Sequence, residues 1–127
     1  VWKVYPETLA TLDAARRRGL RLAVISNWDR RLPEILDDLE LTGYFETISV
    51  SAIEGVEKPA PAIFDRTLER LAIQPDEALH IGDSPLEDYE GSQAVGMLPV
   101  LIDRPGRFVG NGYRRVGSLA EIFELLG

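Results

Sequence analysis

The 127 residues include 45% hydrophobic and 28% charged side chains, with a formal net charge of −7 at pH 7. These proportions are ordinary for one globular domain and exclude low-complexity and collagen-like chains. Affinity for nucleic acid or anionic lipid comes from clustered Lys and Arg, and the basic clusters here, 16–18 and 114–115, are short. We therefore predict no nucleic-acid partner and no membrane partner.

The chain has no cysteine and one histidine. Disulfides, thiolate metal sites and histidine-rich zinc sites are thereby excluded. A bound metal would be held by oxygen ligands, which favours Mg²⁺. The apolar runs are far shorter than the roughly 20 residues of a membrane span, and residues 1–6 do not resemble a signal peptide. The default prediction is a cytoplasmic, enzyme-like domain.

A helix is predicted first. Pro6 suits an opening helical turn, and Leu9, Leu12 and Ala15 form an apolar stripe. Gly19 stands where a left-handed residue ends a helix.

Strand and helix then alternate. Residues 22–25 form a continuous apolar run that predicts a strand buried on both faces. Apolar residues at helical spacing over 32–39 predict a second helix that ends near Thr42-Gly43, and residues 47–50 predict the next strand.

The pattern continues through the second half. A Pro-marked loop, 58–61, opens a helix whose apolar face runs from Ile63 to Leu71. Residues 78–81 predict a third strand, a short helix closed by Gly96 follows, and residues 98–102 predict a fourth strand.

The C-terminal part is less regular. Residues 104–113 form a Gly-rich loop without clear periodicity, and Ser118 with Glu121 forms a capping box before a last helix. Four alternations of strand and helix predict an α/β fold, a parallel sheet with helices on both faces, in one domain over residues 1–127.

Polar side chains follow three of the predicted strands. Ser26 and Asn27 follow the first, Lys58 the second, and Asp83 and Asp88 the third. The carboxyl ends of parallel strands meet at one edge of the sheet, where open α/β folds bind ligands. Taken singly, each residue also suits a helix cap, a turn or a solvated surface. Together, a hydroxyl, an amide, an ammonium and two carboxylates suit a phosphate accompanied by a cation.

Other polar and aromatic residues leave alternatives open. Strand alternation places His80 beside the core, which favours a structural histidine over a catalytic one. Trp28 either lines the mouth of the site or packs, and Asp103 either lies near the site or makes a turn. Trp2 and Tyr5 are expected to pack against a segment outside this chain.

Three segments resemble motifs of the haloacid dehalogenase superfamily. Residues 24–27, residues 57–64, and residues 80–84 with Asp88 and Gly91 are similar, in order and spacing, to its second, third and fourth motifs. The resemblance covers nearly the whole chain to about Asp103, and it implies the superfamily's Rossmann-like core.

The resemblance also implies site roles. Ser26 would bind the transferring phosphoryl group with the help of Asn27, and Lys58 would offset negative charge. Asp83 and Asp88 would support Mg²⁺ directly or through water. Displacement of halide from carbon needs no metal, whereas phosphoryl transfer between anions does, so two carboxylates favour a phosphatase over a dehalogenase.

One part of the family pattern is missing. The family's nucleophile is an aspartate, with a second aspartate two positions later, and this chain has no such pair. The resemblance implies that their strand lies between strands 22–25 and 78–81, and that a cap domain is also absent. We expect one of three outcomes: those two strands pair directly, another chain supplies the strand by complementation or self-association, or the sequence is part of a longer protein. The third is preferred.

The leading hypothesis is a Mg²⁺-dependent phosphatase of small phosphorylated metabolites that acts through an aspartyl-phosphate, with this chain alone inactive. The alternative is a catalytically degenerate module that binds phosphate or a partner. A receiver-like signalling domain ranks lower, because this chain has no phosphoacceptor aspartate at the expected place.

Overall fold

The computed structural model describes residues 6–108 and 110–125. The strands are β1 Ala23–Ser26, β2 Thr47–Val50, β3 Leu79–Gly82, β4 Leu98–Ile102 and β5 Arg115–Val116. The helices are α1 Pro6–Arg17, α2 Leu32–Asp38, α3 Ser51–Glu54, α4 Pro61–Leu71, α5 Gly91–Ala94 and α6 Ile122–Leu125. Short 3₁₀ turns lie at Thr42–Tyr44, Pro75–Glu77 and Leu119–Glu121, and a π-helical turn spans Pro85–Glu90. Trp2 and Tyr5 lie outside the described residues.

The four predicted strands are confirmed to within one residue. β5 was not predicted, because a two-residue strand is too short to show alternation and lies just beyond the irregular 104–113 loop. Two caps are also confirmed: Gly19 has a left-handed φ of 79°, and the Ser118–Glu121 capping box is formed. The second helix ends at Asp38, earlier than expected, and a separate 3₁₀ turn follows it at Thr42–Tyr44.

Every strand pairing is parallel, which confirms the α/β class, but the strands form two separate sheets. One sheet has the order β1-β2 and the other β3-β4-β5. In the first, Ser26 pairs with Val50, and in the second, Gly82 pairs with Leu101. Within the described residues β1 and β3 do not pair, so direct pairing, the first of the three expected outcomes, is not observed.

The split sheet changes the burial of its inner strands. The prediction that 22–25 is buried on both faces is wrong, because every residue of β1 is only half-buried. Ile81 of β3 is half-buried as well, whereas Val100 and Leu101 of β4 are fully buried. A strand edge without a neighbour leaves backbone groups and adjacent side chains accessible, which accounts for this difference.

Helices pack against both sheets. Leu32 and Leu36 of α2 pack with Val50 of β2, and Ile63 and Phe64 of α4 form a second, central cluster. Val100, Val116 and Ile122 form the core of the β3-β4-β5 side.

The predicted stripe of α1 is wrong at one position. Leu9 is 43% exposed, and the helix instead buries Thr11 and Ala15, which are four residues apart on one face. Among the described residues, no helix is long and apolar enough to cross a membrane.

A buried chain of hydrogen bonds joins β2 to α4. The hydroxyls of Ser49, which is fully buried, and Thr67 lie 2.7 Å apart. Thr67 donates to the Ile63 carbonyl at 2.8 Å, so the Ser49 hydroxyl donates to Thr67 and accepts from Arg70 at 3.1 Å. Arg70 also pairs with Glu54 at 2.6 Å. The helix is therefore held to the strand by polar groups as well as by apolar packing.

This chain of bonds predicts non-additive mutations. Ser49→Ala and Thr67→Val should each lower the free energy of unfolding by roughly 1–2 kcal/mol, because each leaves the other hydroxyl buried with one partner fewer. The double variant should cost less than the sum, since it removes both hydroxyls. Urea unfolding of the natural full-length protein measures these values, with Thr47→Val on the same strand as the control. Strictly additive costs would contradict the coupling.

Candidate active site

A cleft of about 830 Å³ opens at the carboxyl ends of β1, β3 and β4. Ser26, Lys58, Asp83 and Asp88 line it, so four of the five predicted site residues share one cavity. Apolar residues of β1 and β3, namely Val24, Ile25 and Ile81, also line it. The predicted convergence at one sheet edge is therefore what the fold produces.

Asn27, the fifth predicted residue, is not among those that line the cleft. Its amide nitrogen donates to the Lys58 carbonyl at 3.0 Å, and its amide oxygen accepts the Lys58 backbone N–H at 2.8 Å. The side chain therefore holds the Lys58 peptide from both sides. The geometry gives Asn27 a positioning role, through the loop that carries the lysine.

Lys58 and Asp88, which both line the cleft, form a buried ion pair. The Lys58 Nζ donates to Asp88 Oδ1, and the two side chains are 10% and 4% exposed. His80 Nε2 lies 2.9 Å from the same carboxylate oxygen, and the Ser84 backbone N–H donates to Oδ2 at 3.1 Å. One carboxylate thus organises three segments of the chain.

Burial by itself raises the pKa of Asp88, but its hydrogen bonds from His80 and Lys58 outweigh that effect and hold the pKa well below its usual range. The charge of Lys58 and the Ser84 N–H act in the same direction. Asp88 is therefore an anion at neutral pH, and it compensates the buried ammonium.

Gly82 explains how Asp88 comes so close to the sheet. A Cβ built on Gly82 would overlap the Cβ, Cγ and Oδ2 atoms of Asp88. The π-helical turn that carries Asp88 begins after Ser84, whose hydroxyl caps it by accepting the Glu87 N–H at 3.1 Å. The carbonyl of Ser84 accepts from both Asp88 and Tyr89, at 3.0 and 3.1 Å. The missing side chain at 82 and this wide turn together place the carboxylate against β3.

His80 has a larger part than the sequence indicated. It is buried, as predicted, and meets the Phe64 ring edge-on at 5.2 Å, but it also binds the site carboxylate. One sequence signal was available: His80 and Gly82 are two apart on a strand and share a face. A residue that packs over Gly82 is therefore within reach of His80.

The structure also decides the two open alternatives. Trp28 packs against the Leu32 and Val50 cluster and is not among the cleft-lining residues. Asp103 does both things considered for it, because it lines the cleft and its carboxylate accepts the backbone N–H groups of Arg107 and Phe108.

The carboxylates fit a magnesium ion in part. Mg²⁺ is commonly held by one or two carboxylates, with water and substrate phosphate completing its shell. Asp83 is exposed in the cleft and suits such a ligand, whereas both Asp88 oxygens already accept protein hydrogen bonds. Across residues 6–108 and 110–125, no group of three or more His, Cys, Asp or Glu side chains is placed to hold a metal. Asp88 therefore fits a supporting position better than a direct ligand.

Comparison with known proteins gives a consistent result. A family model described as haloacid dehalogenase-like hydrolase matches residues 1–96. The chain is 48% identical over 101 residues to the mouse haloacid dehalogenase-like hydrolase domain-containing protein 3, covering 80% of this chain and 40% of that protein. It is 36% identical over 126 residues to a phosphoserine phosphatase of Thermus thermophilus, covering 96% of this chain and 51% of that protein.

Solved structures agree. A haloacid dehalogenase-type phosphatase from Thermococcus onnurineus superposes with a TM-score of 0.93 at 33% identity, over 98% of this chain and 59% of that chain. The chain thus spans about half the length of the relatives it matches.

Gly82→Ala is expected to disrupt the site, since the new methyl group occupies the space of the Asp88 carboxylate. The cost should be about 3 kcal/mol or more in the free energy of unfolding, through strain and loss of the Lys58 pair. Gly43→Ala is the matched control, because nothing lies within 4 Å of its added Cβ. Equal unfolding midpoints for the two variants would contradict this packing.

Asp88→Asn tests the depressed pKa. A carboxyl with a lower pKa in the folded state stabilises the protein above its ordinary pKa of about 3.9, and this stability is lost as the pH falls toward the folded value. At pH 7 the variant should lose about 3 kcal/mol, because Lys58 remains buried without its partner. That deficit should narrow below about pH 4. Urea unfolding from pH 7 to pH 3 measures it, with exposed Asp37→Asn as control, and a constant deficit would be the contrary result.

Proposed function

The chain belongs to the haloacid dehalogenase-like hydrolases, and we propose that it provides the phosphate-binding and metal-supporting part of a Mg²⁺-dependent phosphatase. The observation that carries the proposal is the convergence of Ser26, Lys58 and Asp83 on one cleft over a buried, charge-compensated Asp88. A hydroxyl donor, a cation and a free carboxylate are the groups that phosphoryl transfer requires of its surroundings.

Each residue has a definite task in this proposal. The Ser26 hydroxyl, at the end of β1, donates to a phosphoryl oxygen. Lys58 balances negative charge. Asn27 holds its backbone, and Asp88 holds its ammonium group. Asp83 would be a metal ligand, and Asp88 would support the metal site without binding the ion directly. When bound, Mg²⁺ would neutralise charge on the phosphate and stabilise the transition state.

The nucleophile is proposed to come from an additional strand between β1 and β3. Val24, Ile25 and Ile81 line the cleft and are half-buried, so an apolar strand inserted there would cover them and pair both free edges. A preceding part of the same protein or another chain would supply it. Its aspartate would form the aspartyl-phosphate, a step this chain's own cleft residues do not provide.

Small phosphorylated metabolites are the proposed substrates. The name of the Thermus thermophilus relative specifies phosphoserine, and the Thermococcus onnurineus structure is of a phosphatase.

A second candidate is a module that binds phosphate without turnover. Two of the cleft carboxylates are already in ion pairs, Asp88 with Lys58 and Asp103 with Arg115. Fewer carboxylates are then left to hold a metal ion, which favours binding without turnover. Asp83 precedes a π-helical turn and is the remaining carboxylate among the described residues that line the cleft. In this case Ser26→Ala and Lys58→Met should weaken phosphate binding in a protein that never releases phosphate.

Asp83→Asn in the natural full-length protein tests the phosphatase. Phosphate release in the presence of Mg²⁺ should fall by about 100-fold or more, because the substituted amide is a poorer ligand for a hard cation. Circular dichroism and the unfolding midpoint should be unchanged, since Asp83 is exposed. Asp37→Asn on α2 is the matched control.

Full activity in Asp83→Asn would remove this residue from the site. If the wild-type protein binds phosphate but hydrolyses no phosphate ester with Mg²⁺, the binding module is the correct function.

A further inference from the structure

Residues 103–108 form a wall of the cleft that the proposed reaction leaves without a role. Asp103, Arg104, Pro105, Arg107 and Phe108 all line the cavity. The segment leaves β4 at the same sheet edge as Asp83, because Leu101 pairs with Gly82. It is therefore placed to contact a substrate whose phosphate lies near Ser26 and Lys58.

The segment is held in place by the carboxylate of Asp103, whose side chain is only 1% exposed. Its oxygens accept the backbone N–H groups of Arg107 at 3.0 Å and Phe108 at 2.9 Å, and Arg115 Nε at 3.2 Å. The Asp103 carbonyl also accepts the Gly106 N–H at 3.1 Å. The backbone of Arg107 is thus fixed by a buried anion, although its side chain is exposed.

Aromatic contacts tie the far end of this wall to the site. Phe108 meets Tyr113 edge-on at 5.9 Å, and Tyr113 meets Tyr89 at 4.9 Å. The Tyr89 hydroxyl accepts the Arg114 backbone N–H at 3.0 Å. Since Tyr89 follows Asp88 in the π-helical turn, the wall and the site carboxylate are parts of one packed unit.

The charges in the cleft single out Arg107. Lys58 is compensated by Asp88, and Arg115 by Asp103. Arg107 has no ion pair or side-chain hydrogen bond with the described residues, whereas Arg104 has an interaction of its own. In a chain of net charge −7, a guanidinium at the cleft that has no partner among the described residues is available to bind an anion.

We propose that Arg107 determines substrate specificity by binding a second anionic group, a carboxylate or a second phosphate, of a phosphate monoester. The planar guanidinium binds either oxyanion through two parallel hydrogen bonds. The rigid backbone reduces the entropy lost on binding. This inference rests on the proposed function, since it assumes that the ester phosphate occupies the Ser26–Lys58 end of the cleft.

Three matched esters test it in the natural full-length protein: 2-phosphoglycolate, 1,2-ethanediol bisphosphate and the neutral-tailed 2-hydroxyethyl phosphate. The wild type should prefer one or both charged esters over the neutral one by about 10- to 100-fold in kcat/KM. Arg107→Gln should abolish that preference and leave the neutral ester within about threefold. Arg107→Lys should retain part of the preference, and Arg17→Gln, exposed on α1 outside the cleft, should change nothing. Comparison of the two charged esters separates a carboxylate from a second phosphate.

The two proposals fail in different ways. If Arg107→Gln lowers turnover of all three esters equally, or leaves the wild-type preference intact, Arg107 does not select the substrate and the phosphatase proposal stands. If the wild type hydrolyses none of them with Mg²⁺, the phosphatase proposal fails, and calorimetric affinities for the same esters then decide the role of Arg107. A preference present in the wild type and lost in Arg107→Gln supports it, and equal affinities overturn it.

Discussion

The carboxylate of Asp88 is the group on which the rest of the site depends. It is buried, and it accepts hydrogen bonds from Lys58 on one loop, His80 on β3 and the Ser84 backbone at the head of a π-helical turn. A buried charge of either sign is costly without a partner, so Lys58 and Asp88 have to be placed together. Gly82 provides the room, because any side chain there would overlap the carboxylate. Lys58, His80, Gly82 and Asp88, which are separate positions in the sequence, thus form one electrostatic unit.

Around this ion pair, some residues hold other side chains in place and others face the cleft. Asn27 and Asp88 hold Lys58, while Ser26, Lys58 and Asp83 present groups to the cleft. A site for the proposed phosphate has to keep its own charges fixed, since mobile dipoles would have to reorganise when the ligand arrives. The buried carboxylates do this for the cationic side chains.

Particular residues show where sequence reasoning succeeded and where it stopped. The convergence of Ser26, Lys58, Asp83 and Asp88 on one cleft could be predicted because parallel strands bring their carboxyl ends to one edge, a rule that needs only the order of the elements. The direct bond of His80 to Asp88 was not predicted, because it depends on how closely a helix packs over Gly82. The role of Asn27 was assigned to the phosphate, but its two hydrogen bonds go to the Lys58 backbone. The loop 103–108 gave no periodic signal, yet it forms a wall of the cleft.

The sequence by itself determined the α/β class, four of the strands to within one residue, the acidic, cysteine-free composition of the chain, and the set of polar groups at the sheet edge. These follow from local periodicity and from the order of elements along the chain. Only the tertiary structure decided that β1 and β3 remain apart, that Asp88 is the shared partner of Lys58 and His80, and that Asp103 holds Arg107 at the cleft. Those features depend on distances between segments far apart in the chain, and hydrogen bonds and ion pairs require positions correct to a few tenths of an ångström.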